Sequence, residues 1–422
     1  MIKNNFSSLP FIFISLFFFA IKSNAQTGTL SPYSRYGIGE LQFNGFAYQR
    51  AMGGLGAALQ STGRLNFLNP ASYAADTLAT AEIGVEGMLV KLTDGINSQK
   101  KQNGNLTSLS LGFPLVKNRW GLSFGITPYS AVGYNIKERK QAPDADYIYS
   151  ASGGINRFYI GNGFRLTKNL YAGFNASYLF GSINRTRKIE FFESGFLNNR
   201  YTQTITVSDI LLDYGLQYKF NLKKDYILMA GISGSNSSKI NATKSILWEN
   251  YTIRGTNVST LRDTVENSKQ SGAIVFPFNF TAGFYLTKNT KWGLGLDVNY
   301  QDWSNYKAFD ETEDFDKSFK IAMGGQWIPD NKSIKYLNRI EYRLGGFYRK
   351  GYLQVKNTDI NETGLTAGFG FPLRKSFQSM VNVSFEFGER GTIKNNLVRE
   401  RYGKLLIGIT FNEDWFHRQK YD

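Results

Sequence analysis

The sequence contains few side chains able to perform acid–base or nucleophilic chemistry. It has no cysteine and one histidine, His417, which lies beyond the last predicted strand. The lack of cysteine excludes disulfides, thiolate metal ligands and cysteine nucleophiles. A zinc site needs several histidine or cysteine ligands, and the general base for acyl transfer is usually a histidine. We therefore predict no catalytic residue, no metal and no cofactor, and we do not expect an enzyme.

Acidic residues are concentrated in one segment, residues 310–316. Carboxylates suit calcium, but the segment lacks the glycine and the spacing of an EF-hand loop, so a solvated loop is the preferred interpretation. Five other charged residues share one face of predicted strands: Asp213, Asp297, Glu341, Arg343 and Glu386. We interpret them as pairing with one another or as holding an internal plug, because no nucleophile–base pair is recognisable among them.

The strands that position these charges alternate cleanly. Between residues 292 and 301, every even position is large and apolar and every odd position is glycine or polar. Residues 212–220 and 381–388 show the same pattern. The second face carries many glycines and few charges, which suits the crowded lumen of a membrane barrel better than the solvent face of a soluble sheet.

Fourteen segments have this strand pattern. They are residues 79–91, 105–116, 119–136, 154–166, 169–184, 206–221, 225–236, 272–287, 291–304, 317–329, 337–350, 362–372, 376–389 and 401–412. Even-to-odd junctions such as 117–118 and 288–289 are short and polar, whereas odd-to-even junctions such as 137–153, 185–205 and 237–271 are long. Short turns on one rim and long loops on the other are typical of an outer-membrane β-barrel. We predict an all-β fold: a transmembrane antiparallel barrel of about 14 strands with both termini in the periplasm.

Composition agrees with this class. Aromatic residues make up 15 % and charged residues 19 %, and the mean hydropathy of −0.31 leaves no room for a bundle of apolar helices. Composition alone leaves a soluble all-β protein open. Trp120, Tyr171, Tyr226 and Trp292 each begin a strand after a short turn, which predicts an aromatic girdle at one interface. The net charge of +16 suits either nucleic acid or the anionic headgroups of a membrane, and the N-terminal leader described next favours the headgroups.

The first residues predict a secretory signal peptide. Lys3 gives a positive start, residues 11–21 are almost all apolar, and small residues precede Gln26. We place the signal peptide at residues 1–25, with Sec export to follow. The apolar run is shorter than the about 20 residues that a membrane-spanning helix needs.

Residues 26–78 lack strand alternation and are predicted to form an N-terminal plug, or hatch, inside the barrel at 79–412, with a periplasmic tail at 413–422. Glycines at Gly53, Gly54 and Gly56 permit close backbone approach or positive φ. They do not make a dinucleotide-binding loop, because the third glycine and the strand–helix context are missing. The following apolar residues Phe67 and Leu68 lead into Asn69, Pro70 and Ala71, a short turn or helical start.

Proline interrupts the third predicted strand. By alternation Pro128 lies on the outward face, between Gly125 and Tyr129. Proline cannot donate to the ladder, and a closed barrel has no edge, so we predict a kink that leaves a gap in the wall. The alternative is that Pro128 ends the strand above the membrane.

These features resemble the FadL/TodX family of outer-membrane transport proteins: a leader, a glycine-rich hatch with Asn69, Pro70 and Ala71, fourteen strands, and a third strand with Pro128 and Tyr129. The leader and the basic tail with Trp415 and Phe416 resemble barrels of Bacteroidetes-type bacteria. The resemblance implies a monomeric Gram-negative outer-membrane channel that takes up hydrophobic compounds such as long-chain fatty acids.

In that family, a ligand would bind above the hatch, near Phe67 and Leu68, and leave sideways into the membrane at the kinked third strand, marked by Gly125, Pro128 and Tyr129. Gly53, Gly54, Gly56, Asn69, Pro70 and Ala71 would form the hatch and gate, with Asn69, Pro70 and Ala71 as its tip near the gap. The expected partners are a hydrophobic small molecule and membrane lipid, not nucleic acid. Two alternatives remain: a FadL-like protein carrier or anchor in type IX secretion, and a purely structural barrel.

Overall fold

The computed structural model describes residues 28–43, 45–193, 195–222, 225–254, 258–373 and 376–414. The predicted signal peptide, His417 and the tail from residue 415 lie outside these residues. In the described part of the chain, no helix is long and apolar enough to cross a membrane.

Fourteen antiparallel strands close into a barrel, which confirms the predicted fold class and strand number. The strands are β1 (Ala79–Thr93), β2 (Ser98–Val116), β3 (Trp120–Gln141), β4 (Asp144–Arg165), β5 (Leu170–Phe191), β6 (Asn198–Asn221), β7 (Tyr226–Ser235 and Ser238–Arg254), β8 (Val258–Phe276 and Phe278–Lys288), β9 (Trp292–Asp302), β10 (Lys317–Trp327), β11 (Glu341–Lys350), β12 (Glu362–Leu373), β13 (Ser376–Arg390) and β14 (Arg399–Glu413). Pairing of β1 with β14 closes the barrel, from Ala79 opposite Glu413 to Thr93 opposite Arg399.

The strands differ greatly in length. β3, β4 and β5 have 22 residues each, and β6 has 24, whereas β9 and β10 have 11. Since about 9–11 tilted residues cross the hydrocarbon layer, β3–β8 extend beyond it on the long-loop side. Since the long-loop rim is the one predicted to be extracellular, we call this projecting sheet the extracellular extension.

The extension corrects the prediction of long loops at residues 137–153, 185–205 and 237–271. Only Ala142 and Pro143 separate β3 from β4, and β7 and β8 pair continuously up to Arg254 and Val258. Both faces of these hairpin ends are rich in polar residues, because the membrane no longer imposes an apolar face, and the alternation that marks a lipid-facing strand disappears.

Outward-facing side chains form the apolar surface. Leu294, Leu296 and Val298 of β9 are 53 %, 44 % and 43 % exposed. Aromatic contacts line the short-turn rim, with Trp120 stacked on Phe164 at 5.7 Å. The girdle prediction is wrong for Tyr171, which is 6 % exposed and packs with plug residues Ala71 and Ala74, because its position in β5 faces the lumen.

The lumen is occupied by two groups of residues. The plug contains a 3-10 helix at Pro32–Arg35, a two-residue strand at Glu40–Leu41, a helical turn at Ala47–Arg50 and a second 3-10 helix at Pro70–Ala75. Above it, aromatic side chains from the loops after β9 and β11, among them Trp303, Tyr306 and Phe315, pack against the inner faces of β4–β8. We call this upper group the apolar cap.

Candidate functional site

The second 3-10 helix of the plug is seated on glycines of the wall. Asn69 caps it by accepting from the Ala71 N–H at 3.1 Å. The Asn69 amide donates to the carbonyls of Ala57 at 2.6 Å, Leu216 at 3.2 Å and Ile232 at 3.1 Å. Through these three hydrogen bonds, the buried Asn69 amide connects this turn to the rest of the plug and to two strands of the wall.

Glycine is required where this helix meets β5. A Cβ built on Gly173 would lie 2.5 Å from the carbonyl carbon and oxygen of Pro70 and 2.7 Å from the Ala71 nitrogen. All three atoms belong to the backbone, so no side chain can rotate away. Gly173 therefore forms part of the seat of the hatch.

Gly173→Ala is expected to displace the Pro70–Ala75 helix, at a cost of about 1–3 kcal/mol for overpacking. Limited proteolysis of the folded barrel should then cut the plug faster. Gly87→Ala is the matched control, because nothing lies within 4 Å of its built Cβ. Equal protection of both variants would contradict the proposed seat.

The glycine-rich turn holds the plug against the opposite wall. Gly53 and Gly54 have φ of +72° and +84°, values that favour glycine. The Gly53 N–H donates to Thr366 Oγ1 at 2.8 Å. The N–H groups of Gly56 and Ala57 both donate to one carboxylate oxygen of Asp297, at 2.7 and 2.9 Å. One lumen-facing aspartate thus binds two backbone donors of the plug.

A buried ion-pair network anchors the helical turn. Arg50 contacts Glu86 of β1 at 3.0 Å and Glu386 of β13 at 3.1 Å, and Lys404 of β14 approaches Glu386 at 3.3 Å. Burial alone would lower the pKa of Arg50, but the two carboxylates raise it above its ordinary value. Arg64 pairs with Glu341 in the same way. These contacts support the interpretation that lumen charges hold the plug.

Arg50→Met is expected to leave Glu86 buried without an ion-pair partner, which typically costs about 3–5 kcal/mol, whereas Glu386 keeps Lys404. The plug should loosen, and the ion conductance of the barrel in planar bilayers should rise. Arg35→Met is the matched control, because Arg35 is an exposed arginine of the same plug. Unchanged conductance in Arg50→Met would show that other contacts suffice to hold the plug.

A cavity of about 270 Å³ lies between the plug and the cap. Phe67 and Leu68, predicted from the sequence as pocket residues, both line it, together with Tyr129 and Phe276. The Phe67 ring lies 4.5 Å from that of Tyr159. This volume is slightly below the usual range for small-molecule sites, roughly 300–1,000 Å³.

Four cations line the cavity, and three are paired. Arg157 contacts Asp213 at 3.5 Å, and Arg349 contacts Glu362 at 3.0 Å. Arg390 contacts Glu40 at 2.7 Å. Lys320 of β10 differs: among the described residues, no carboxylate lies within ion-pair distance of its ammonium. Its Nζ lies 4.2 Å from the ring centroid of Phe43 and 4.8 Å from that of Phe347, and the residue is only 9 % exposed.

Sequence reasoning found no basic residue for the pocket and missed Lys320. The signal was present, since Lys320 alternates with the apolar residues Phe319 and Ile321 and therefore faces the lumen. Alternation does not reveal which lumen-facing charges have a partner.

The barrel wall is open beside the cavity. β2 and β3 pair from Val116 opposite Trp120 only as far as Leu109 opposite Ile126. Beyond that point β3 continues to Gln141 but pairs along its length with β4. Pro128 lies two residues past the last pair with β2, and Tyr129 is an extra residue in the pairing with β4. Gly125, opposite Ser110, belongs to the second-last pair before the break.

The plug's first residues lie in this break. We call residues 28–43 the strap. Glu40 and Leu41 pair with Ala131 and Ser130 of β3, as a short substitute for the missing β2. On the other side, the Asn105 amide of β2 donates to the Gly28 carbonyl at 3.1 Å.

Charge also holds the strap. Burial alone would raise the pKa of Glu40, but Arg390 and Lys404 lower it below its ordinary value. Glu40 is therefore ionised at neutral pH and can pair with Arg390.

The hatch tip is not at the break. Asn69, Pro70 and Ala71 contact β5 and β6, where built Cβ atoms on Gly173 and Gly215 would collide with Pro70. The sequence resemblance implied that this triplet lies near the gap, and that placement is wrong. Its capping and wall contacts fix it near the short-turn rim, whereas the strap lies at the break.

The residues 310–316 are not simply a solvated loop. Phe315 is buried in the apolar cap, Glu313 accepts from the Gly37 N–H at 3.0 Å, and Asp316 pairs with Lys350 at 2.7 Å. Among the described residues, no group of three or more histidine, cysteine, aspartate or glutamate side chains is arranged to hold a metal ion.

A fourteen-strand barrel with a lumenal plug and a break beside the third strand has the fold of the FadL-type barrels. Solved structures share this fold. The Pseudomonas putida toluene transporter TodX is 14 % identical, with a TM-score of 0.60, over 90 % of this chain and 100 % of that one. The Ralstonia pickettii toluene transporter TbuX is 13 % identical, with a TM-score of 0.58, over 88 % and 99 %. A Pseudomonas aeruginosa FadL homologue is 10 % identical, with a TM-score of 0.55, over 90 % and 100 %.

The chain belongs to the BamG family, whose model matches residues 1–422. No curated protein matches the sequence.

Proposed function

We propose that this barrel lies in the outer membrane and takes up hydrophobic compounds that carry a carboxylate, such as long-chain fatty acids. The observation that carries the proposal is a cavity that combines apolar side chains with one buried cation, Lys320, that has no carboxylate partner among the described residues. An acyl chain gains about 0.8 kcal/mol per methylene removed from water. The ammonium of Lys320 would bind the carboxylate.

The exit is proposed to be the break between β2 and β3. Open sheet edges do not occur against lipid unless something covers them, and the strap covers this one through Glu40 and Leu41. Strap displacement would connect the cavity with the outer leaflet. In this mechanism the strap is the gate, while the Asn69–Ala71 tip is a fixed anchor. The similarity to toluene transporters agrees with a hydrophobic cargo.

The direct test is ligand binding by the purified full-length barrel. cis-Parinaric acid, a fluorescent fatty acid, is expected to bind one site, and oleate should displace it. Methyl oleate should displace it far less well, because it lacks the charge. Failure of the fluorescent acid to bind would overturn the proposal, and equal displacement by acid and ester would overturn the carboxylate part.

A second candidate is a barrel that binds a protein partner or has a structural role, including the carrier role in type IX secretion. The apolar cap favours it, since Trp303, Tyr306 and Phe315 close the extracellular mouth with a packed core. A closed mouth would give ligands no direct aqueous entry from outside. Absence of any ligand binding in the test above would favour this candidate.

A further inference from the structure

The extracellular extension has two faces of different chemistry. The concave side is marked by four residues that are buried in the apolar cap: Val132, Ile155, Ile183 and Val207. Since side chains alternate between the two faces of a strand, every second residue from each of these also lies on the concave side. Strand register then identifies the residues above them. These upper residues of the concave face are not covered by the apolar cap.

Several charges on the convex face pair between neighbouring strands. Lys137 pairs with Asp146 at 2.6 Å, and Arg200 pairs with Glu249 at 2.8 Å. The Tyr251 hydroxyl donates to Glu190 at 2.8 Å.

The concave face carries a row of directly opposite residues across five strands. In order from β3 to β7, the row is Ile136, Tyr149, Arg187, Tyr201 and Trp248. We call it the aromatic row. The Tyr201 and Trp248 rings are 6.4 Å apart in an edge-on contact, and the Arg187 guanidinium lies 6.0 Å from the Tyr201 ring. Side chains that touch across strands form one continuous surface.

The aromatic row is exposed where polar residues would be expected. Ile136 is 37 % and Trp248 is 38 % exposed, although both lie on hairpin ends beyond the membrane. Lipid cannot cover them there. Tyrosine, tryptophan and arginine are the residues enriched at protein interfaces and at their energetic centres, whereas lysine and carboxylates are depleted. The five residues from β3 to β7 include no lysine and no carboxylate, and on the next strand Glu266 of β8 lies directly opposite Trp248.

Charge specifies the partner further. Among the described residues, no carboxylate lies within ion-pair distance of Arg187, in contrast to Arg200 on the convex face. A guanidinium beside aromatic rings binds a carboxylate bidentately. We propose that the aromatic row is the docking site for a second, different protein at the cell surface, which presents apolar side chains to Trp248 and an acidic residue to Arg187.

The test is site-specific photocrosslinking in intact cells with the full chain. A benzoylphenylalanine at position 248 is expected to give one discrete adduct with another protein, and the crosslinked peptide should contain aspartate or glutamate. The same group at position 247, on the convex face of the same strand, should give none. Heat-modifiable gel mobility would establish that every variant forms a folded barrel.

Charge variants complete the test. Arg187→Glu is expected to reduce the adduct about 30-fold, the loss typical of an interface hot spot, whereas Arg187→Lys should retain most of it. Lys188→Glu, the same charge change on the convex face, should leave it intact. The proposal is overturned by no adduct at position 248, by an adduct with only glycolipid or with a second copy of this chain, or by equal adducts at 247 and 248.

Discussion

A disulfide between Leu41→Cys and Ser130→Cys is expected to abolish fatty-acid uptake, and a reductant should restore it. The two residues are direct partners in the short pairing between the strap and β3, so their Cβ atoms are about 4.5–5.5 Å apart, close to the distance that a disulfide spans. The bond would hold the strap across the only exit that the proposed mechanism uses. The native chain has no cysteine, so no other thiol can interfere.

The matched control is Ser182→Cys with Thr206→Cys. These hydroxyls lie 2.9 Å apart on neighbouring strands β5 and β6, away from the strap. This second disulfide should leave uptake unchanged, which separates a gating effect from a general effect of oxidation. Uptake of a fluorescent fatty acid by cells, measured before and after reduction, is the readout. Full uptake with the strap demonstrably crosslinked would eliminate the strap as the gate.

Lys320→Met is expected to weaken carboxylate binding by about 10- to 150-fold, since a hydrogen bond to a charged group contributes roughly 1.5–3 kcal/mol. Methionine keeps a flexible apolar chain of similar length, so the cavity should hold its shape. Binding of methyl oleate should change little, because the ester carries no charge. The measurement is the ratio of acid to ester affinity in the purified barrel.

Lys317→Met provides the control on the same strand, because Lys317 is exposed. It should leave both affinities unchanged. If Lys320→Met weakens acid and ester equally, Lys320 supports the cavity rather than binding the carboxylate. If neither affinity changes, the ammonium of Lys320 contacts the rings of Phe43 and Phe347 but does not bind the ligand.

The extension shows where sequence patterns stop being informative. Residues 137–153 are rich in charged and polar residues, which predicted a loop, yet β3 and β4 remain paired almost to their tips. Hydrogen bonding between backbones sustains the ladder, and backbone pairing leaves no mark in the order of side chains. The prediction that Tyr171 lies in the aromatic girdle is wrong for a related reason. A shift of one position along a strand decides whether a ring faces the lipid or the lumen.

The site divides in the same way. Phe67 and Leu68 were recognisable as apolar residues next to a breaking proline, and both line the cavity. Lys320 was visible as a lumen-facing charge, but its lack of a partner depends on residues far away in the chain. The strap, which joins residues 28–43 to a break more than 60 residues later, could not be predicted because it depends on where β2 and β3 separate.

By itself, the sequence determined the barrel class, the number of strands and the strand that would be irregular. Those features follow from local alternation and from a proline that cannot donate to its neighbour. The tertiary structure alone decided which plug segment lies at the break, which cation is left unpaired in the cavity and which face of the extension is bare. Each of these depends on contacts between segments that are distant in sequence, and such contacts are set by barrel closure rather than by any local pattern.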